Sequence, residues 1–207
     1  METEEEQVEQ LKAWLKENGL SIVLGIIIGV GGIGGYNYWN HVQETTAVEA
    51  SGHFSEMITA LEAGNHQSVA EHSAILIDRY ASTDYALMAQ LALAKSHIIN
   101  GEFDQAESAL QQVVGSGAQK PLAYVGRTRL AAIQIHNGKI DQALTTLDAE
   151  FPEEFLALVA ELRGDAYAQQ GKAAQAIEAY RNAQTAKLGA ADPAFLQHKL
   201  DDLGARN

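Results

Sequence analysis

The stretches Asn100-Gly-Glu-Phe-Asp-Gln-Ala106, Asn137-Gly-Lys-Ile-Asp-Gln-Ala143 and Gln170-Gly-Lys-Ala-Ala-Gln-Ala176 each carry a glycine second and an alanine five residues later, and they recur at intervals of 37 and then 33 residues. Gly64-Asn-His-Gln-Ser-Val69 is a degenerate earlier copy. An amphipathic segment precedes each glycine (Leu87 to Ile99, Tyr124 to Ile135, Phe155 to Ala168) and another follows it (Ala106 to Val114, Ala143 to Leu147, Ala176 to Ala183). Glycine is the residue that ends a helix in the left-handed conformation, so each unit reads as helix, tight turn, helix. A fixed period of this length marks a stack of helical hairpins. The expected pairs are 47–63 with 66–80, 84–100 with 103–116, 120–137 with 140–149 and 153–170 with 173–187. A last helix from Pro193 to Leu203, with the proline in its first turn and polar His198, Lys199, Asp201 and Asp202, is placed to cap the open end. The fold class is all-α, and an irregular helical bundle is the competing arrangement.

Upstream of the repeats, residues 20–39 read Leu-Ser-Ile-Val-Leu-Gly-Ile-Ile-Ile-Gly-Val-Gly-Gly-Ile-Gly-Gly-Tyr-Asn-Tyr-Trp without a charged side chain. About 20 helical residues rising ~1.5 Å each cross a hydrocarbon core of roughly 30 Å, and Tyr36, Tyr38 and Trp39 supply interfacial rings at one end. A cleaved signal peptide would begin with cations, whereas residues 1–19 carry Glu2, Glu4, Glu5, Glu6 and Glu9 and an amphipathic pattern of Val8, Leu11, Trp14 and Leu15. An uncleaved signal-anchor fits better. Lys12 and Lys16 precede the span and the next basic residue after it is Arg79, which puts the N-terminus in the cytoplasm and the rest outside it. The resulting division is 1–19 cytoplasmic, 20–39 transmembrane, 40–52 a membrane-proximal connector and 53–207 an exported helical domain. Gly25 with Gly29, and Gly31 with Gly35, form small-xxx-small pairs that would admit another membrane helix, a passive anchor being the alternative.

The chain of 207 residues has a net charge of −13, of which residues 1–39 carry −4. Its 14 basic residues form no run, which argues against a nucleic-acid partner. The absence of cysteine removes disulfides, thiolate metal sites and a cysteine nucleophile. His41, His53, His66, His72, His97, His136 and His198 form no i, i+4 pair on one helix, so no metal site is expected, and His97 and His136 are expected as partly buried packing residues. No nucleophile elbow, phosphate loop or dinucleotide fingerprint occurs. Neither enzyme activity, a cofactor nor a small-molecule substrate is expected.

The hairpins resemble the tetratricopeptide repeat, whose pattern is Gly or Ala and Tyr in the first helix, then Ala, an aromatic and Ala in the second. The last unit has Gly164, Tyr167, Ala176, Tyr180 and Ala183 in these places. The others depart from it: Ala94 and Ala131 stand for the glycine, His97 and Gln134 for the tyrosine, Leu110 and Leu147 for the aromatic. With the stretch Trp14-Leu-Lys-Glu-Asn-Gly19, the Tyr36-to-Trp39 exit and the domain size, the whole chain resembles the YfgM family, ancillary subunits of the SecYEG translocon. That resemblance implies an inner-membrane, largely periplasmic protein beside the export channel. It also implies association with the membrane-anchored isomerase PpiD and transfer of exported clients to periplasmic chaperones. A structural scaffold for another envelope complex is the alternative.

Carrying the family's groove spacing onto this chain selects Phe54, Ile58, Leu61, Met88, Leu91, Ile98, Val125, Ile135 and Leu158 as partner-binding candidates. An apolar groove of this kind suits a hydrophobic client segment, and the competing reading is that several of these side chains fill the core. Glu161 and Asp165 are additional candidates for attracting basic partners.

Overall fold

The computed structural model describes residues 4–115, 121–186, 188–189 and 192–204; Glu2 of the acidic stub lies outside them, as do 116, 120 and 187 at the ends of expected helices. Nine α-helices, a 3-10 turn and no strand occur among the described residues. They are α1 Glu4–Glu62, α2 His66–Arg79, α3 Asp84–Ile99, α4 Phe103–Gly115, α5 Pro121–His136, α6 Ile140–Leu147, α7 Leu156–Gln169, α8 Ala173–Thr185 and α9 Pro193–Asp202, with the turn at Glu153–Phe155.

The chain divides into two units, Met1–Glu49 and Ala50–Asn207. Within the first, the amphipathic stub, the apolar span and most of the connector are one helix rather than separate pieces. No proline interrupts residues 4–62, and the Thr45 and Thr46 hydroxyls donate to the carbonyls of His41 and Val42 at 3.0 and 2.7 Å, so polar side chains there are satisfied inside the helix. The helix is long and apolar enough to cross a membrane, with a mean hydropathy of 1.9 over its most apolar window and none of that window buried. Gly25, Gly29, Gly31 and Gly35 are exposed, and a Cβ on any of them would meet no atom of the chain.

In the second unit the hairpin turns are four copies of one device. Gly64, Gly101, Gly138 and Gly171 all have φ between 68° and 74°. Across each turn the glycine N–H donates three residues back and the next N–H donates five back, as in Gly101 to Ile98 and Glu102 to His97 (3.0 and 2.8 Å). This is the Schellman closure, which satisfies the last carbonyls of the first helix and reverses the chain.

The repeat positions explain why each hairpin closes. Seven residues before the turn glycine stands a small residue, Ala94, Ala131 or Gly164, and nine after it a large one, Leu110, Leu147 or Tyr180. All six are buried, so the large side chain of the second helix seats in the gap left on the first. In the last unit a Cβ on Gly164 would fall 2.3 Å from the Tyr180 ring, closer than any real contact. The first hairpin inverts the pair. Met57 occupies the small position and Ser73 the large one; both are fully buried, and the Ser73 hydroxyl donates to Met57 Sδ at 3.2 Å.

Four apolar clusters follow in chain order. The first joins α1, α2 and α3 (Met57, Leu76, Ala89), the second α3, α4 and α5 (Leu91, Leu110, Leu130). The third joins α5, α6 and α7 (Ala131, Leu147, Val159), and the fourth α7, α8 and α9 (Ala176, Tyr180, Leu196). Each cluster buries one hairpin against the next first helix, as stacked repeats require. Helix α9 closes the series as expected: Pro193 is in its first turn, Asp192 caps it by accepting from Ala194 N at 2.9 Å, and Leu196 and Leu200 are buried. His97 is part-buried and shares a 2.6 Å hydrogen bond with Glu102, but His136 is exposed, lying against the Phe103 ring with centroids 4.0 Å apart.

Candidate partner-binding surfaces

The nine groove candidates occupy unlike environments. Phe54, Ile58 and Leu61 are half-buried and pack against the first cluster, with the Phe54 ring 5.4 Å from that of Tyr85. Leu91 is 7% exposed and belongs to the second cluster, against which Ile98 and Val125 also pack. Ile135 packs against the third. Met88 is half-buried outside the clusters, and Leu158 is 39% exposed. A fully committed core side chain such as Leu91 has little area left for a partner, so Leu158 offers the most accessible apolar contact of the set, and Met88 is half-buried without belonging to a cluster.

Glu161 and Asp165 are not free acids. Lys199 from α9 donates to Glu161 Oε1 at 2.8 Å and to both Asp165 oxygens at 2.7 and 2.9 Å, and the Tyr180 hydroxyl donates to Asp165 at 2.7 Å. The ammonium also sits 4.5 Å from the Phe195 ring centroid and 5.4 Å from that of Tyr180. These carboxylates therefore hold the end helix in place, which corrects the expectation that they draw basic partners. Burial raises the Tyr180 phenol above its ordinary range, and the hydrogen bond to Asp165 and the negative charge of Asp165 and Glu161 add to the effect. A similar device sits between the second and third hairpins, where buried Glu107 accepts from Asn137 at 3.0 Å and Lys139 at 2.8 Å.

A cleft of about 400 Å³ opens beside α7, lined among others by Leu147, Phe151, Leu156, Val159, Arg163 and Tyr167. It lies between α7 and α8, whose Gln175, Glu178 and Asn182 also line it, beside the end of α6, which has 8 residues where α4 and α8 have 13. Arg163 spans the cleft wall, donating to the Leu147 carbonyl at 3.0 Å and to Asp148 Oδ1 at 2.8 Å, while its Nε is buried without a hydrogen-bond partner. Leu156 is 47% exposed at the rim. Apolar walls around a guanidinium can take a peptide segment, the side chain into the cleft and a carbonyl or carboxylate toward the arginine. Groove spacing pointed only to first helices and missed this surface, although the short expected helix 140–149 was its signal.

A family model described as a tetratricopeptide repeat-like domain matches residues 12–205. The chain is 31% identical over 202 residues to the ancillary SecYEG translocon subunit of Escherichia coli (strain K12), covering 98% of this chain and 97% of that one. It is 32% identical over 181 residues to the protein of the same name from Haemophilus influenzae, covering 87% and 88%. With the counterpart from Neisseria gonorrhoeae it shares 24% over 202 residues, 97% of each chain.

Proposed function

Since this chain belongs to the tetratricopeptide repeat-like family that includes the ancillary SecYEG translocon subunits, we propose that it is a membrane-tethered adaptor at the Sec translocon that binds proteins rather than transforming a substrate. The observation that carries this reading is the extent of the likeness: 31% identity runs over 202 residues, through both the apolar helix and the repeats. The anchor occupies residues 20–39, with Lys12 and Lys16 keeping residues 1–19 in the cytoplasm and the repeats from residue 53 in the periplasm. In that position the repeat unit receives newly exported chains and passes them to periplasmic chaperones, with PpiD as a membrane-bound neighbour.

Client contact is assigned to exposed Leu158 and half-buried Met88, together with the cleft under Leu156 and Arg163. A photocrosslinking residue at Leu156 or Leu158 should capture Sec subunits or exported chains in intact cells, whereas one at exposed Arg181 should capture markedly less. If a preparation in mild detergent carries no export component and the crosslinks are lost as well, the adaptor reading fails.

A further inference from the structure

We propose that His53, Glu56 and His72 form a binding site for a divalent first-row transition metal ion of the zinc class, clamping the first helical hairpin. His53 and Glu56 lie one turn apart on α1, and His72 faces them from α2. Glu56 Oε2 is 3.3 Å from His72 Nδ1 and 3.8 Å from His53 Nδ1, and one donor atom from each of the three residues falls within 4.8 Å of the others. Zinc binds imidazole nitrogen and carboxylate oxygen at about 2.0–2.2 Å, so tetrahedral ligands stand roughly 3.3 Å apart. The His72 and Glu56 atoms already have that separation, His53 must close on Glu56 by about half an ångström, and the two histidines must draw together from within 4.8 Å.

The second observation is unsatisfied polarity. The Nδ1 atoms of His53 and His72 are both buried and have no hydrogen-bond partner, although the carboxylate stands beside them. Buried polar groups are nearly always paired, so two orphaned nitrogens converging on one carboxylate call for a common partner that accepts lone pairs. A metal cation does so; a proton on one ring would serve only one of the pair. Two histidines elsewhere are engaged, His66 with Ser96 and His97 with Glu102, each at 2.6 Å.

Imidazole and carboxylate donors together favour zinc-like ions over calcium or magnesium, which prefer all-oxygen sites. Three protein ligands leave a fourth position for water. Access is provided by an open depression of about 380 Å³ lined by Glu56, His72, Asn65 and Ser68. The His53 ring is flanked by the rings of His72 and Tyr80, with centroids 5.7 and 5.9 Å away, which limits its swing. The expectation of no metal site rested on histidine pairs within one helix; here the ligands come from both arms of a hairpin.

The test uses the untagged full chain in detergent micelles, with Co²⁺ as a coloured substitute for Zn²⁺. A visible ligand-field band should saturate at one Co²⁺ per chain and vanish on adding Zn²⁺. Glu56→Gln, at a side chain 64% exposed, should retain the fold and weaken binding by ~10-fold or more, at least the effect seen when outer-shell partners of metal ligands are lost. Zn²⁺ should raise the Tm of the wild type more than that of Glu56→Gln at the same concentration. On the unsubstituted chain, Zn²⁺ should shift the imidazole ¹⁵N resonances of His53 and His72 and leave the other five histidines in place. Undiminished binding in the combined variant H53Q/E56Q/H72Q, shifts confined to other histidines, or no band at millimolar Co²⁺ would each overturn the assignment.

Discussion

At the residue scale the last repeat is the most tightly determined part of the molecule. Gly164 exists there because the Tyr180 ring occupies the space of its missing side chain, and Tyr180 in turn anchors Asp165 and, through it, Lys199 of the end helix. The raised phenol has a consequence with a definite sign. A tyrosine that ionises less readily folded than unfolded contributes stability that is complete below its unfolded pKa of about 10 and declines as the pH rises through that value. Unfolding midpoints in denaturant should therefore fall between pH 9 and pH 11. Tyr180→Phe should lose about 0.5–1.5 kcal/mol at pH 8 with the hydrogen bond, yet show a shallower alkaline decline than the wild type. Parallel slopes for the two proteins would remove the argument for a buried, acid-bonded phenol.

At the element scale each hairpin is a small residue facing a large one, and the first hairpin uses the same volume with the sizes exchanged between helices. Met57→Ala should cost about 2–5 kcal/mol by opening a cavity, and Ser73→Leu about 1–3 kcal/mol by overfilling the gap. Combined, Met57→Ala and Ser73→Leu rebuild the arrangement of Ala94 with Leu110 and Ala131 with Leu147, so the double variant should be more stable than the sum of the single losses by about 0.5–3 kcal/mol. Chemical denaturation of the four proteins measures the coupling; strict additivity would mean the two side chains do not share one space. The same exchange explains why the first unit looked degenerate in sequence. Reading for a small residue at position 57 finds methionine, and reading for a large one at 73 finds serine, while the turn glycine still marks the hairpin.

At the scale of the whole molecule, the parts legible in the sequence were those with a local cause: four turn glycines, an uncharged span and a proline at the start of the end helix. Contacts between residues 30 or more apart were not legible, such as Lys199 with Asp165 or Asn137 with Glu107, because no local pattern records which partner a polar side chain finds. The sequence also leaves open whether residues 40–52 extend the span as a stiff helix or form a mobile tether, since the changes of composition at residues 20 and 40 suggest boundaries where the backbone of α1 has none. The histidine pair fell outside any single-helix spacing for the same reason of distance. Local stability should vary along the stack with helix length and burial. Amide exchange of the repeat unit should accordingly be faster through Ile140–Leu147 than through Phe103–Gly115 or Ala173–Thr185, and equal protection of all three would contradict it.

The brevity of α6 also gives the repeat unit a seam. The third cluster is shared across that seam, Leu147 on one side and Val159 and Leu162 on the other, so yielding there disturbs this cluster alone while the second and fourth stay closed. A segment threaded into the opening could then be gripped or released by a slight yielding of the scaffold, with no hairpin having to come undone.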